Sequence, residues 1–437
     1  MEPVQQERKY RMRAAFYEKD ITPPLGGYLA GYYVNYTAQD VLDPLYVRSA
    51  VFEKDGTAAA VIDVDSCELP DDMHDAVTSR IREYTGIPAE NVLLSVNHTH
   101  KGIPVMDSPE LNAFGDRAFR DVVYRLIADC VILAWKRLYE ADLSFGEGFA
   151  RGISFNRTFV MADGTLRTNV FDGSAVRSLG GIIENVPVLF VRDKAGNPRG
   201  AVLSFACHQD CLPGAVYSGE FGYVLAKELK KRYGEDFVTV FLPGPSGDIN
   251  HIDPKSGGAM PADTYIHMGR VLRDAVVEAE ARAVPVSDGL WVRKELLEVR
   301  LRKYTDDETF AEIKRLADER NLISLRNLIF YVTCQKEDVK KVWVQCIRLG
   351  EVVVYAFPGE VFADFGIDLM KRSPTDKNII GTLCNSGCGY IATRAAFGEN
   401  SRLYEKALCY DACLDPETGY QITDKLLELA EGLFAQK

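Results

Sequence analysis

The sequence predicts an α/β protein with mixed β-sheets, in which β-α-β units are flanked by helices within a single domain spanning residues 1–437. Three observations carry that expectation. An apolar strand signal, an amphipathic helix and a second apolar run succeed one another three times along the chain. The stretches between these units alternate in strand fashion or are dense in turn residues. Composition is ordinary for a globular protein, with 47% hydrophobic and 26% charged residues, and 437 residues suffice to bury a sizeable core.

The first unit starts with a strand at Ala58–Asp65, continues through a helix near Pro70–Tyr84 and ends in a strand at Val92–Val96. A helix-linked pair of this kind places its two strands parallel. The second unit has a strand at Ala201–Ala206, a helix that Ser218 caps and Gly234 stops after Tyr233, and a strand at Phe237–Leu242. The third runs from a strand at Val352–Phe357 through a helix near Val361–Lys371 to a strand near Asn378–Leu383. Between the units, Leu143–Phe171 is rich in Gly, aromatics and turn signals. Val188–Arg199 begins as a short strand and closes as a hairpin turn at Asp193–Arg199. Leu290–Leu301 alternates as a strand, Asp306–Phe330 is helical by periodicity, and a last helix is expected near Thr423–Phe434. No internal sequence repeat, low-complexity tract or long linker interrupts the chain.

The formal net charge of -12 opposes binding to nucleic acid or to an anionic membrane surface. No cluster of Lys and Arg interleaved with aromatics is present, and no apolar run reaches the ~18 residues of a membrane span. Residues 1–13 are polar and of mixed charge, without the apolar core of a secretory signal, so the cytoplasm is the expected location. The ten cysteines include three pairs at i, i+4, which is neither zinc-ribbon nor thioredoxin spacing. They are expected to be buried, reduced thiols.

In α/β sheets, ligands bind beyond the carboxyl ends of parallel strands. Four of the six histidines fall in such positions: His98 and His100 after Val92–Val96, His208 after Ala201–Ala206, and His251 after Phe237–Leu242. Asp248 shares the last loop, and Glu360 follows the strand Val352–Phe357. Each has a bland explanation when taken singly: an exposed loop histidine, a satisfied buried one, or a carboxylate at a helix N-terminus. Gathered at one sheet edge, imidazoles and a carboxylate are the donor set of a hydrolytic metal site that leaves a position for water. A purely structural zinc site would be richer in cysteine.

These segments also carry a resemblance. Asp20-Ile21-Thr22 with the Gly-rich stretch to Tyr32, Asn97-His98-Thr99-His100-Lys101-Gly102, Phe155-Asn156-Arg157-Thr158 and Phe205-Ala206-Cys207-His208 are joined by Ser218-Gly219-Glu220-Phe221-Gly222, Gly247-Asp248, Pro358-Gly359-Glu360, Asn385 to Tyr390, and Tyr404-Glu405. In that order, over about Ala14 to Glu405, the chain resembles the neutral/alkaline (non-lysosomal) ceramidase family. Secreted ceramidases carry a C-terminal immunoglobulin-like domain; with only about thirty residues after Glu405, a single catalytic domain without it is expected here. The resemblance further implies one zinc ion per chain held by His98, His208, Glu360 and Tyr390, with His100, Arg157 and Tyr404 lining the reaction site. Such a zinc acidifies bound water. His100 would polarise the carbonyl or shuttle a proton, and Arg157 would meet a developing oxyanion.

The chain departs from the family pattern in places. Asn250, in Gly247-Asp248-Ile249-Asn250-His251, stands where the family carries an active-site serine, and Lys101-Gly102-Ile103 replaces its Ser-Gly-Pro. The spacing from Tyr390 to Tyr404 is slightly long. Asp248, Asn250 and His251 are then expected to contact a polar substrate. No lipid-facing apolar surface is evident. The expected function is zinc-dependent hydrolysis of a small soluble amide by metal-activated water, rather than of ceramide itself. Two alternatives stay open: an ester, lactone or sugar-derivative hydrolase or lyase on the same site, and a non-catalytic, metal-stabilised binding protein. A homo-oligomer also stays open.

Overall fold

The computed structural model describes residues 11–32, 34–304, 310–311, 313–314 and 323–435. Its largest sheet has nine strands. In chain order the long ones are β1 (Arg13–Asp20), β2 (Tyr46–Lys54), β3 (Thr57–Val64), β4 (Val92–Val96), β5 (Tyr139–Phe149), β6 (Asn185–Asp193), β7 (Pro198–Phe205) and β8 (Val238–Pro243). Their spatial order is β8-β7-β6-β5-β1-β2-β3-β4. The two edge pairs, β3 with β4 and β7 with β8, are parallel, and the interior pairs are antiparallel. A second sheet, β9 (Leu290–Arg300), β10 (Val339–Leu349), β11 (Val352–Ala356) and β12 (Asn378–Gly381), ends in the parallel pair β11 and β12. All three anticipated β-α-β units are therefore present with parallel strands.

Strand periodicity explains the layering, because successive side chains point to opposite faces. Val61 and Leu93 face a core shared with Leu349, Val352, Val354 and Ile379 of the second sheet. Their neighbours Ile62 and Leu94 face the helices α1 (Met73–Thr85) and α2 (Arg117–Trp135) through Val77, Ile81, Ile127 and Val131. At the far end of the large sheet, Val188, Leu203 and Phe241 pack on α3 (Glu220–Tyr233) and α4 (Thr264–Ala281). The outer face of the second sheet, with Val344 and Tyr355, packs on α6 (Ala363–Arg372) and α7 (Thr418–Phe434). The sequence of layers is helix, sheet, sheet, helix. Tyr331 of α5 (Ile323–Cys334) joins the core that holds Val344 and Tyr355.

Several boundaries move. α1 begins at Met73 rather than Pro70, and α7 begins at Thr418 rather than Thr423. The residue capping α3 is Gly219, although Ser218 Oγ still accepts the Glu220 N–H at 2.9 Å. The turn at Asp193 is as anticipated, its carboxylate accepting the Ala195 and Asn197 N–H groups. The helix expected over Asp306–Phe330 lies largely outside the described residues, and only its end falls within α5. All ten cysteines are unpaired, and all but Cys334 and Cys409 are buried. Among the described residues no helix is long and apolar enough to cross a membrane.

Candidate metal centre

The right-handed twist of the large sheet brings its two edges together, with β8 close to β3 and β4. The loops leaving β4 and β7 then bond to each other. His100 N–H donates to Gln209 O at 3.0 Å, and Gln209 Nε2 donates to Asn97 O at 3.0 Å. The loop leaving β11 joins them, with Gly247 N–H donating to Val361 O and Glu360 N–H to Gly389 O, both at 2.8 Å. Glu360 and Tyr390 are direct partners in a two-residue parallel ladder. Backbone bonding between loops is thus what carries His98, His208, Glu360 and Tyr390 to one place.

His98 Nε2 and His208 Nε2 each lie 3.2 Å from Glu360 Oε2. Behind the rings, His98 Nδ1 is 2.7 Å from Cys67 O, and His208 Nδ1 is 2.9 Å from Ser246 O. A carbonyl only accepts, so each Nδ1 carries the hydrogen and each Nε2 presents a lone pair. Two imidazole lone pairs and a carboxylate oxygen converge where fewer than a tenth of each residue is exposed. Glu360 Oε2 makes no hydrogen bond. Burial alone would raise the Glu360 carboxyl, yet the facing imidazoles hold it well below the usual carboxylate range. Burial opposes charge on His98 too, but Glu360 outweighs it and raises the ring. His208 is pushed down to about 3 by burial and by Arg157. One proton shared between His98 and Glu360 relieves that contact, and Arg157 Nη1 meets the His208 lone pair at 3.2 Å, yet the His208 and Glu360 acceptors still face each other with Glu360 Oε2 unbonded. A divalent cation would satisfy His98, His208 and Glu360 together. His98 holds its place with φ at +67°, a strained left-handed conformation of the kind found at functional sites.

On one side stands Arg157, buried. Its Nη2 donates to Gly247 O at 2.7 Å and to the Tyr390 hydroxyl at 3.3 Å, and its Nη1 lies 3.2 Å from His208 Nε2. The Tyr390 and Tyr404 hydroxyls are 3.4 Å apart. On the other side is His100, whose Nε2 is 3.4 Å from His98 Nε2. Burial pushes His100 down to about 4. Seven of the ten residues singled out from the sequence therefore gather here.

Asp248, Asn250 and His251 lie behind Arg157, whose N–H donates to Asp248 O at 2.8 Å. The Asp248 carboxylate accepts from Ala363 N–H at 2.7 Å and from Asn156 Nδ2 at 2.8 Å. Asn250 Nδ2 donates to Asn169, and His251 Nε2 is 2.9 Å from Met260 Sδ. None of the three lines the cavity of about 410 Å³ onto which His98, His100, Glu360 and Tyr390 open. Beyond those ten residues the site includes Glu405, the ion-pair partner of Arg157, and Tyr32, which lines the cavity. It also includes the carbonyls of Cys67 and Ser246 that orient the two imidazoles. Glu405 and Tyr32 sit inside the family-like segments. Backbone carbonyls leave no mark in a sequence.

Layers, sheet order and loop convergence define a fold of the neutral ceramidase type. Two solved structures match it over nearly the whole chain. The neutral ceramidase from Pseudomonas aeruginosa has a TM-score of 0.72 at 17% identity, covering 97% of this chain and 74% of that one. A ceramidase complexed with C2 has a TM-score of 0.75 at 17% identity, covering 98% and 76%. No protein-family model and no curated protein matches the sequence.

Proposed function

We propose that the chain is a zinc-dependent amidohydrolase acting on a small polar amide. The observation that carries this reading is the convergence of His98 Nε2, His208 Nε2 and Glu360 Oε2 without a proton for each contact. The ceramidase-like fold supports the choice of an amide, since the two matched structures are ceramidases. His98, His208 and Glu360 would hold the ion, with Tyr390 as a fourth donor from its place opposite Glu360. When bound, the ion supplies Lewis acidity toward a carbonyl oxygen and acidifies water.

The remaining residues have definable work. Arg157 keeps a permanent charge beside the Tyr390 hydroxyl and opposes the burial that raises that hydroxyl well above its usual range. With Tyr404 it offers donors to the oxyanion that forms as water adds to the amide carbon. His100 carries the proton from that water to the departing amine nitrogen through Nε2. Asp248 fixes Asn156 and the start of α6, which holds the Arg157 segment in register. A cavity of about 410 Å³ fits a small molecule. Its wall carries Glu68, Asp71 and Lys340, which offer partners to a polar amide, beside the apolar Leu69, Met106, Leu111 and Leu383.

The test is elemental analysis of purified protein followed by a turnover screen with amide, ester, lactone and glycoside panels. One zinc per chain and turnover confined to amides is the expected result. Turnover confined to esters, lactones or glycosides would keep the metal centre and replace the reaction. Metal-free protein with full turnover would remove both.

A further inference from the structure

We propose that Asp210 is the positioning residue for His100, holding its ring in the tautomer that leaves Nε2 bare. The role in turnover rests on the hydrolase reading above; the tautomer itself does not. Each of the three clustered imidazoles has an oxygen behind Nδ1. For His98 it is Cys67 O at 2.7 Å, for His208 it is Ser246 O at 2.9 Å, and for His100 it is Asp210 Oδ2 at 3.9 Å. His100 Nδ1 is buried and makes no hydrogen bond, so it is a polar atom waiting for an acceptor.

The surroundings hold that acceptor ready. Asp210 Oδ1 accepts from the Tyr32 hydroxyl at 2.6 Å, and the Tyr32 oxygen accepts from Lys101 Nζ. Lys101 is 2% exposed, and its ammonium also lies over the Tyr32 ring at 4.6 Å. The Tyr32 ring meets His100 edge-on at 5.3 Å. Gly31 closes the other side, since a Cβ there would fall 2.5 Å from His100 Nδ1. The backbone bond from His100 N–H to Gln209 O fixes the two loops. A rotation of the partly exposed Asp210 side chain would close the 3.9 Å gap. Catalytic hydrogen bonds are commonly long before substrate arrives.

The choice of tautomer matters because of His98. With its hydrogen on Nε2, His100 would donate into the His98 Nε2 lone pair 3.4 Å away, the one aimed at Glu360. With the hydrogen on Nδ1, bonded to Asp210, both Nε2 lone pairs stay free. A carboxylate behind an imidazole sets tautomer and orientation in just this manner.

The experiment is long-range proton–nitrogen NMR of the full-length protein labelled with ¹⁵N-histidine, with His100 assigned by its loss in H100Q. Asp210→Asn and Tyr32→Phe are compared with the unaltered chain for tautomer, zinc content and steady-state kinetics. Expected is an Nδ1–H tautomer in the unaltered chain and a shift toward Nε2–H in D210N. Zinc content should be retained, kcat should fall at least about tenfold, and KM should stay within about threefold. Y32F, which releases the carboxylate without removing it, should show the same changes at smaller size, and D210E should recover part of kcat. An unchanged His100 tautomer in D210N overturns the proposal, as does an unchanged kcat in an enzyme that turns over amides. Should D210N not fold, Y32F decides on the same two readings. If no amide is turned over at all, the hydrolase reading fails and the tautomer still decides the role of Asp210.

Discussion

Arg157 Nε lies 3.3 Å from Glu405 Oε1, and both side chains are buried, at 6% and 0% exposure. This ion pair anchors the guanidinium that reaches His208, Gly247 and Tyr390. Removing one partner of a buried pair strands the other charge, at a cost of roughly 3–5 kcal/mol. Arg157→Met is therefore expected to lose about that much stability in urea denaturation and to abolish turnover. Adding Glu405→Gln should restore stability while leaving turnover absent. Equal destabilisation by the single and double variants would mean the pair is not what holds this side of the site.

His98→Ala and His208→Ala each delete one of three converging donors. Loss of a supporting residue around a metal costs 10–100-fold in affinity, so loss of a ligand is expected to exceed about 100-fold. Titration with zinc under a competing chelator measures it, and circular dichroism should show the fold retained. Near-native affinity in either variant would place the ion elsewhere.

Much of this was legible in the sequence because the three β-α-β units announce themselves by periodicity, and ligands gather where such strands end. The strand Val92–Val96 has the bounds its apolar run predicts, and His98 lies two residues beyond its end. Less legible were β1, β2 and α2, for opposite reasons. β1 and β2 have side chains on both faces packed against other layers, so the pattern of one buried and one wet face never forms. The end of α2, Cys130-Val131-Ile132-Leu133-Ala134-Trp135, is apolar nearly all round because it runs beneath the sheet. In the second sheet β9, β11 and β12 were legible and β10 was not, because it starts in the charged pair Lys340-Lys341, ahead of its buried part. The groups that aim the imidazoles are main-chain carbonyls, which any residue supplies.

Gly31 sits against His100 with φ at +90°, and an added Cβ would meet Nδ1 at 2.5 Å and Cys67 Sγ at 2.9 Å. Gly31→Ala is expected to displace His100 without touching His98, His208 or Glu360. Zinc stoichiometry should hold while kcat falls at least about tenfold. Full activity in this variant would show that the position of the His100 ring is immaterial.

His74, on α1, is pushed down to about 4 by burial and by Lys294, whose Nζ donates to its Nε2 at 2.7 Å. The unfolded chain therefore protonates here first as pH falls. Stability from this group is complete above about pH 6.5, declines on acidification and is gone below about 4. The upper bound is about 3 kcal/mol. His74→Gln keeps an acceptor for Lys294 and removes the titration. Denaturation curves should then show the difference between variant and unaltered protein changing between pH 6.5 and 4. A constant difference across that window would contradict the assignment.

The most direct measurement is anomalous diffraction from zinc-loaded crystals, collected on both sides of the zinc absorption edge. One peak is expected, about 2.0–2.2 Å from His98 Nε2, His208 Nε2 and Glu360 Oε2. A peak elsewhere, or none in crystals of protein that turns over its substrate, would contradict the proposed centre.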